Sequence, residues 1–128
     1  MSVQMVLYVG FGGAIGAIAR FLTMSAIGHY FHSTFPWGTF AVNIIGSFVL
    51  GALIETMALQ WSPSPEIRAL LVVGMLGAFT TFSTFSMDVY YLLDRGAVVQ
   101  GAVYVTGSVL LCVAGFWAGM SVFRTVLS

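Results

Sequence analysis

The chain has very few charged residues. Only 6% of its 128 residues carry a charge, and the four cations are all arginines, so lysine is absent from the sequence. An average soluble domain has about 25% charged residues. A surface facing water cannot be built from so small a number. A nucleic-acid-binding role is also excluded, because such a role needs many basic side chains to neutralise phosphates.

Cysteine is almost absent as well. Cys112 is the only one, so neither an intrachain disulfide nor a thiolate metal cluster is possible. Because Cys112 lies in an apolar run, its plainest interpretation is a small packing residue. The sequence offers no nucleophile paired with a base, no metal-binding spacing and no phosphate-binding loop, so we do not expect an enzyme.

Apolar residues make up 59% of the sequence, and they fall into long runs. A helix needs about 20 apolar residues to cross a bilayer. We predict an all-α membrane protein in which residues 1–128 form a single domain. Its four transmembrane helices are expected at about residues 3–28, 37–60, 66–94 and 97–124. The first ten residues lack the basic region and cleavage site of a secretory signal, so we expect them to belong to the first helix.

The arginines are balanced between the two sides of the predicted bundle. Arg68 and Arg124 fall on one side, Arg95 falls on the other, and Arg20 lies in the first helix toward that second side. Orientation follows lysine and arginine asymmetry, and this chain has none. We therefore predict dual topology and an antiparallel homodimer about an axis in the membrane plane. The alternative is a single orientation set by another protein.

The third helix contains an unusual segment, GMLGAFTTFSTFS. Two glycines followed by β-branched threonines are poor helix formers, so we expect a break near Gly77 to Thr80. Carbonyl groups freed by a break must find partners in the membrane. A neighbouring helix, a water molecule or a cation such as sodium would each serve.

Phenylalanines recur every three residues in the same segment, at Phe79, Phe82 and Phe85. Ordinary packing along one helix face explains that spacing. The alternative is a dry site for a small anion, because the edge of an aromatic ring is electropositive and hydroxyl residues stand between these rings.

Polar residues also occur inside the other predicted helices. Asn43 lies mid-membrane, where its amide donors suit either an anion or a neighbouring helix, and Thr39 is one turn before it. Arg20 either extends to the membrane interface or has a buried role at a pore mouth. A further polar stripe lies on the last helix, where residues four apart share one face: Tyr104, Ser108 and Cys112. This stripe either lines a track for an ion or only packs against a neighbouring helix.

Three segments together resemble the CrcB/Fluc family of fluoride channels: GGAIGAIARF, WGTFAVNIIGSF and GMLGAFTTFSTF. The resemblance extends over essentially the whole chain in length, helix number and order of motifs. It implies a dual-topology antiparallel homodimer in a bacterial inner or plasma membrane. Two parallel pores would let fluoride leave the cytoplasm passively, and membrane lipid would surround the dimer.

The resemblance also implies roles for individual residues. Phe82 and Phe85 would present ring edges to the ion, and Asn43 would donate a hydrogen bond to it. Hydroxyls facing a vestibule would come from Thr39, Ser83 and Thr84.

A structural sodium ion at the dimer axis would be held by the carbonyls of Gly77 and Thr80 from both subunits. Arg20 matches the arginine of the family's first helix. Tyr104 and Ser108 match its polar track, whereas Cys112 stands where a hydroxyl residue is expected and Phe116 is apolar, which leaves the end of the track open.

Two other functions compete with a channel. A small proton-coupled multidrug transporter is also a four-helix dual-topology dimer, but it needs a carboxylate deep in the membrane, and the first helix here has no acidic residue. A structural membrane subunit is the second alternative. It predicts that changing Phe82 or Phe85 lowers stability without specifically removing ion flux.

Overall fold

A computed structural model describes residues 2–128 and consists of helices joined by short links over that range. Four segments are long and apolar enough to cross a membrane, which confirms the all-helical, four-span prediction. They are Val3–Tyr30, Trp37–Leu59, Pro65–Asp94 and Val98–Leu127. We call them spans one to four. Spans one, two and four are single helices, labelled α1, α2 and α6.

Span three is divided into several pieces. A short α-helix, α3 (Pro65–Arg68), leads into π-helical turns at Ala69–Leu76, and a further α-helical turn, α4, covers Gly77–Phe79. Regular α-helix resumes at α5 (Phe82–Asp94) after Thr80 and Thr81. The π-helical turns were not predicted from the sequence. Such turns are rare and are often found at functional sites.

Hydroxyl side chains cap the starts of α1 and α3. The Ser2 hydroxyl accepts a hydrogen bond from the Met5 N–H at 3.0 Å, and the Ser64 hydroxyl accepts one from the Ile67 N–H at 3.3 Å. Serine and threonine are favoured at these positions because they satisfy N–H groups that have no partner within the helix.

Span one packs closely against the π-helical turns through glycine. A Cβ atom added at Gly12 would collide with the backbone carbonyl of Leu70, and one added at Gly16 would collide with that of Met75. The small residues in GGAIG thus allow the two backbones to approach closely. Backbone packing here holds span three against α1.

Spans two and four run side by side in the same direction. Phe48 packs against Gly119, and further along α2 the side chain of Glu55 reaches Arg124. A Cβ atom at Gly119 would collide with the Phe48 carbonyl, so the two backbones approach closely. As a result, residues four apart on α2 lie beside residues four apart on α6.

We predict that Gly16→Ala destabilises the protein and that Gly10→Ala does not. The added methyl group at Gly16 meets backbone that cannot rotate away, which should lower the free energy of unfolding by about 1–3 kcal/mol. At Gly10, on the same helix, a Cβ atom meets nothing within 4 Å. Reversible unfolding in mixed micelles measures both variants, and equal stabilities would contradict the packing described here.

Candidate functional site

The backbone between α4 and α5 is extended at two threonines. Thr80 has φ −88° and ψ 159°, and Thr81 has φ −152° and ψ 120°. The Asn43 side chain on α2 binds this segment with two hydrogen bonds. Its Oδ1 accepts from the Thr81 N–H at 2.8 Å, and its Nδ2 donates to the Thr81 carbonyl at 3.0 Å. A side-chain amide thus replaces the backbone partners that Thr81 would have in a continuous helix.

Two carbonyl groups lose their usual helical donors as a consequence. The Thr81 N–H, which would donate to the Gly77 carbonyl in an α-helix, is bonded to Asn43. Likewise, the Thr84 N–H donates to Thr81 Oγ1 at 3.1 Å rather than to the Thr80 carbonyl. Carbonyls released in this way need another partner within the membrane.

Arg20 binds the same segment from span one. Its Nε donates to the Ala78 carbonyl at 3.0 Å. Of the two interpretations of Arg20 in the sequence, this contact favours a role within the protein over extension to the membrane interface.

Hydroxyl groups are concentrated at the start of α5. The Thr81 hydroxyl lies 3.1 Å from the Thr84 hydroxyl and 3.3 Å from the Ser83 hydroxyl. The Thr80 hydroxyl is directed the other way and donates to the Leu76 carbonyl at 3.1 Å. Three hydroxyls therefore form one cluster, and Ser83 is its exposed member.

The two phenylalanines of α5 differ in exposure. Phe82 is 78% exposed, and Phe85 is only 8% exposed. Their ring centroids are 5.3 Å apart. The Phe85 ring in turn lies 4.9 Å from that of Tyr104, which is fully buried. The aromatic rings therefore extend from the interior of the protein to its surface.

A cavity of about 410 Å³ lies beside the extended segment. It brings together six of the residues predicted from the sequence: Asn43, Gly77, Thr80, Phe82, Phe85 and Ser108. Cys112 also lines it. The other five predicted residues lie outside its lining: Arg20, Thr39, Ser83, Thr84 and Tyr104.

A second cavity, of about 600 Å³, lies at the link between spans one and two, and Thr39, Asp88 and His32 are among its lining residues. The Tyr104 hydroxyl donates to Asp88 Oδ2 at 2.9 Å. Thr39 is 2% exposed. Thr39 and the Tyr104–Asp88 pair therefore lie between α2, α5 and α6, at the end of the bundle where this cavity opens.

Two features of this region were not predicted from the sequence. Ser47 lines the 410 Å³ cavity, and the signal for it was its position one turn after Asn43, in the stripe that begins at Thr39. The second is an ion pair between Glu55, 5% exposed, and Arg124 at 3.1 Å. The acid on the second helix and the arginine near the end of the fourth were both visible, but their pairing depends on the register between α2 and α6.

Comparison with known proteins assigns the family. The sequence profile described as CrcB-like protein, Camphor Resistance (CrcB), matches residues 7–120. The chain belongs to the CrcB family. Within it, the chain is 48% identical over 125 residues to a protein of Rhodospirillum centenum named "Fluoride-specific ion channel FluC", covering 98% of this chain and 99% of that protein.

Two further relatives carry the same name. One, from Hahella chejuensis, is 42% identical over 127 residues, covering 99% of this chain and all of the relative. The other, from Chelativorans sp., is 49% identical over 116 residues, covering 91% of this chain and 93% of the relative. With its four apolar spans, this CrcB-family chain is a multi-pass bacterial membrane protein.

We predict that Asn43→Ala destabilises the protein and speeds hydrogen exchange at the Thr81 amide. Removing the side chain leaves the Thr81 N–H and carbonyl without partners, which costs about 1–3 kcal/mol for each buried group. Thr56→Ala on the same helix is the control, because the Thr56 hydroxyl donates only to its own helix, at the Ala52 carbonyl.

Exchange monitored by NMR in micelles, together with an unfolding titration, measures both effects. Unchanged protection at Thr81 in Asn43→Ala would show that the amide does not hold the segment. A loss of stability in Asn43→Ala that is no larger than in Thr56→Ala would show the same.

Proposed function

We propose that this protein is a fluoride channel that lets the ion leave the cytoplasm passively. The observation that carries the proposal is the clustering of uncharged donors around one membrane cavity, in a chain similar over nearly its whole length to proteins named as fluoride-specific ion channels. As a channel, it would catalyse no covalent reaction. The transporter alternative finds no support in the comparisons.

The chemistry of the cavity suits a small anion. Fluoride holds its water strongly, so a pore must offer many hydrogen-bond donors in exchange. This cavity offers a side-chain amide, hydroxyls and the electropositive edges of phenyl rings. Anion pores commonly use rings of lysine or arginine, but a fixed cation in a dry site would bind fluoride too tightly for rapid release. Neutral donors bind fluoride less tightly and so allow rapid release.

The proposed path follows the predicted residues. Phe82 and Phe85 present ring edges to the ion. Asn43 donates to it through its second amide N–H, because one N–H is already bonded to Thr81. The hydroxyls of Ser83 and Thr84 serve a vestibule.

The path continues along α6 and at the ends of the bundle. Ser108 and then Tyr104 form the track on α6, and Thr39 lies beside Tyr104 at the second cavity. Arg20 contributes from span one, where it holds the Ala78 carbonyl.

We infer that two copies assemble antiparallel, with two pores. The arginine balance permits insertion in both directions. Phe82 would otherwise present a ring that is 78% exposed to lipid, although it stands beside a cluster of hydroxyls. A second protomer covering this face would enclose a polar path. In this proposal the whole chain folds as one four-helix domain, and the extended segment in span three is a functional break.

The residues at the break fit a sodium ion at the two-fold axis of such a dimer. Sodium prefers neutral oxygen ligands, and the Gly77 and Thr80 carbonyls are those whose helical donors are directed elsewhere. Two carbonyls from each protomer would hold the ion. It would add positive potential near the pores and join the two broken helices.

We predict that purified protein in liposomes releases fluoride and retains chloride, and that Phe82→Ile and Phe85→Ile each lower the fluoride rate at least about tenfold. An aliphatic side chain has no electropositive ring edge, and a tenfold change corresponds to about 1.4 kcal/mol. A fluoride electrode records the efflux. Phe11→Ile is the control, because Phe11 is 64% exposed on α1, away from the cavity.

Absence of fluoride efflux from well-folded wild-type protein would contradict the channel. Loss of stability in both α5 variants with fluoride flux per folded protein unchanged would instead favour the structural subunit.

A further inference from the structure

The polar stripe on α6 lacks a strong hydrogen-bond donor at Cys112. A thiol is a poor hydrogen-bond donor, and the next residue on that face, Phe116, is apolar. An ion moving along α6 past Ser108 would therefore meet no strong donor on that helix. Any continuation of the path must come from another element that lines the same cavity.

Ser47 of α2 stands at this point. It lines the 410 Å³ cavity together with Ser108 and Cys112. α2 and α6 run parallel, and each carries a stripe of polar residues four apart. Asn43 and Ser47 from one stripe line the same cavity as Ser108 and Cys112 from the other. Thr39, Asn43 and Ser47 form the stripe on α2. Tyr104, Ser108 and Cys112 form the stripe on α6.

Ser108 supplies independent support for a ligand in this part of the cavity. Ser108 is 7% exposed, and its Oγ has no hydrogen-bond partner among the described residues 2–128. A buried hydroxyl without a partner is costly. Its position on the cavity wall indicates that the missing partner is a species inside the cavity.

We propose that Ser47 is an ion-coordinating residue of the path, and that its hydroxyl replaces the donor which Cys112 lacks. The ion moves from the Ser108 hydroxyl across to Ser47, so the path changes from α6 to α2 at the level of Cys112. This inference rests on the proposed fluoride channel. It adds a residue of α2 to the path and explains how the path passes the thiol.

A double-mutant cycle tests the proposal by fluoride efflux from liposomes. Ser47→Ala should lower the fluoride rate about tenfold, because hydrogen bonds to charged groups are the stronger class. In a Cys112→Ser background, the new hydroxyl should take over the donation, and Ser47→Ala should then have less than about a threefold effect. Ser121→Ala, on the exposed face of α6, is the matched control.

The unfolding titration and elution volume of each variant separate a local ion contact from a folding defect, and rates are expressed per folded protein. Rescue by Cys112→Ser is a readout that general destabilisation would not produce. Wild-type fluoride rates in Ser47→Ala would overturn the proposal while leaving the channel intact. An equal loss in both backgrounds would overturn it as well. Absence of flux in the wild type would instead refute the channel itself.

Discussion

Two hydrogen bonds between the Asn43 side chain and the Thr81 backbone hold the extended segment of span three against α2. The bilayer interior has no water to satisfy an open backbone. A helix that stops in the middle of the membrane therefore needs a substitute for each lost partner. Asn43 supplies both a donor and an acceptor to Thr81. Arg20 supplies a donor to Ala78, and Thr81 itself caps the helix that follows.

The hydrogen bonds that take the place of the helical ones also determine which backbone carbonyls are left without a helical donor. Directing the N–H groups of Thr81 and Thr84 away from the helix leaves the Gly77 and Thr80 carbonyls without their usual donors. The same segment places Phe82 at the surface and Phe85 in the interior. One local rearrangement thus prepares an electronegative group of oxygens and, beside it, electropositive ring edges. That arrangement supports the proposed cation site and, beside it, the proposed anion path.

Much of the fold was predictable because a bilayer imposes a simple rule on length and hydropathy. Four apolar runs predicted four spans, and the structure has four over residues 2–128. The π-helical turns at Ala69–Leu76 were not predictable, because the segment is uniformly apolar and its geometry depends on packing against α1.

The sequence left the partner of Asn43 open between an anion and another helix. Only the fold shows that Thr81 takes one donor and the acceptor. Ser47 was missed although its spacing from Asn43 was visible, because its relevance depends on the register that places it beside Cys112.

We propose that the break in span three releases the Gly77 and Thr80 carbonyls to bind a cation. NMR of protein labelled with ¹³C at backbone carbonyls, titrated with sodium against choline at constant ionic strength, tests this site. We predict a saturable sodium-dependent shift at Gly77 and Thr80. We predict none at Leu76, whose carbonyl already accepts hydrogen bonds from Thr80. The same response to choline, or no response at Gly77 and Thr80, would contradict the proposed cation site.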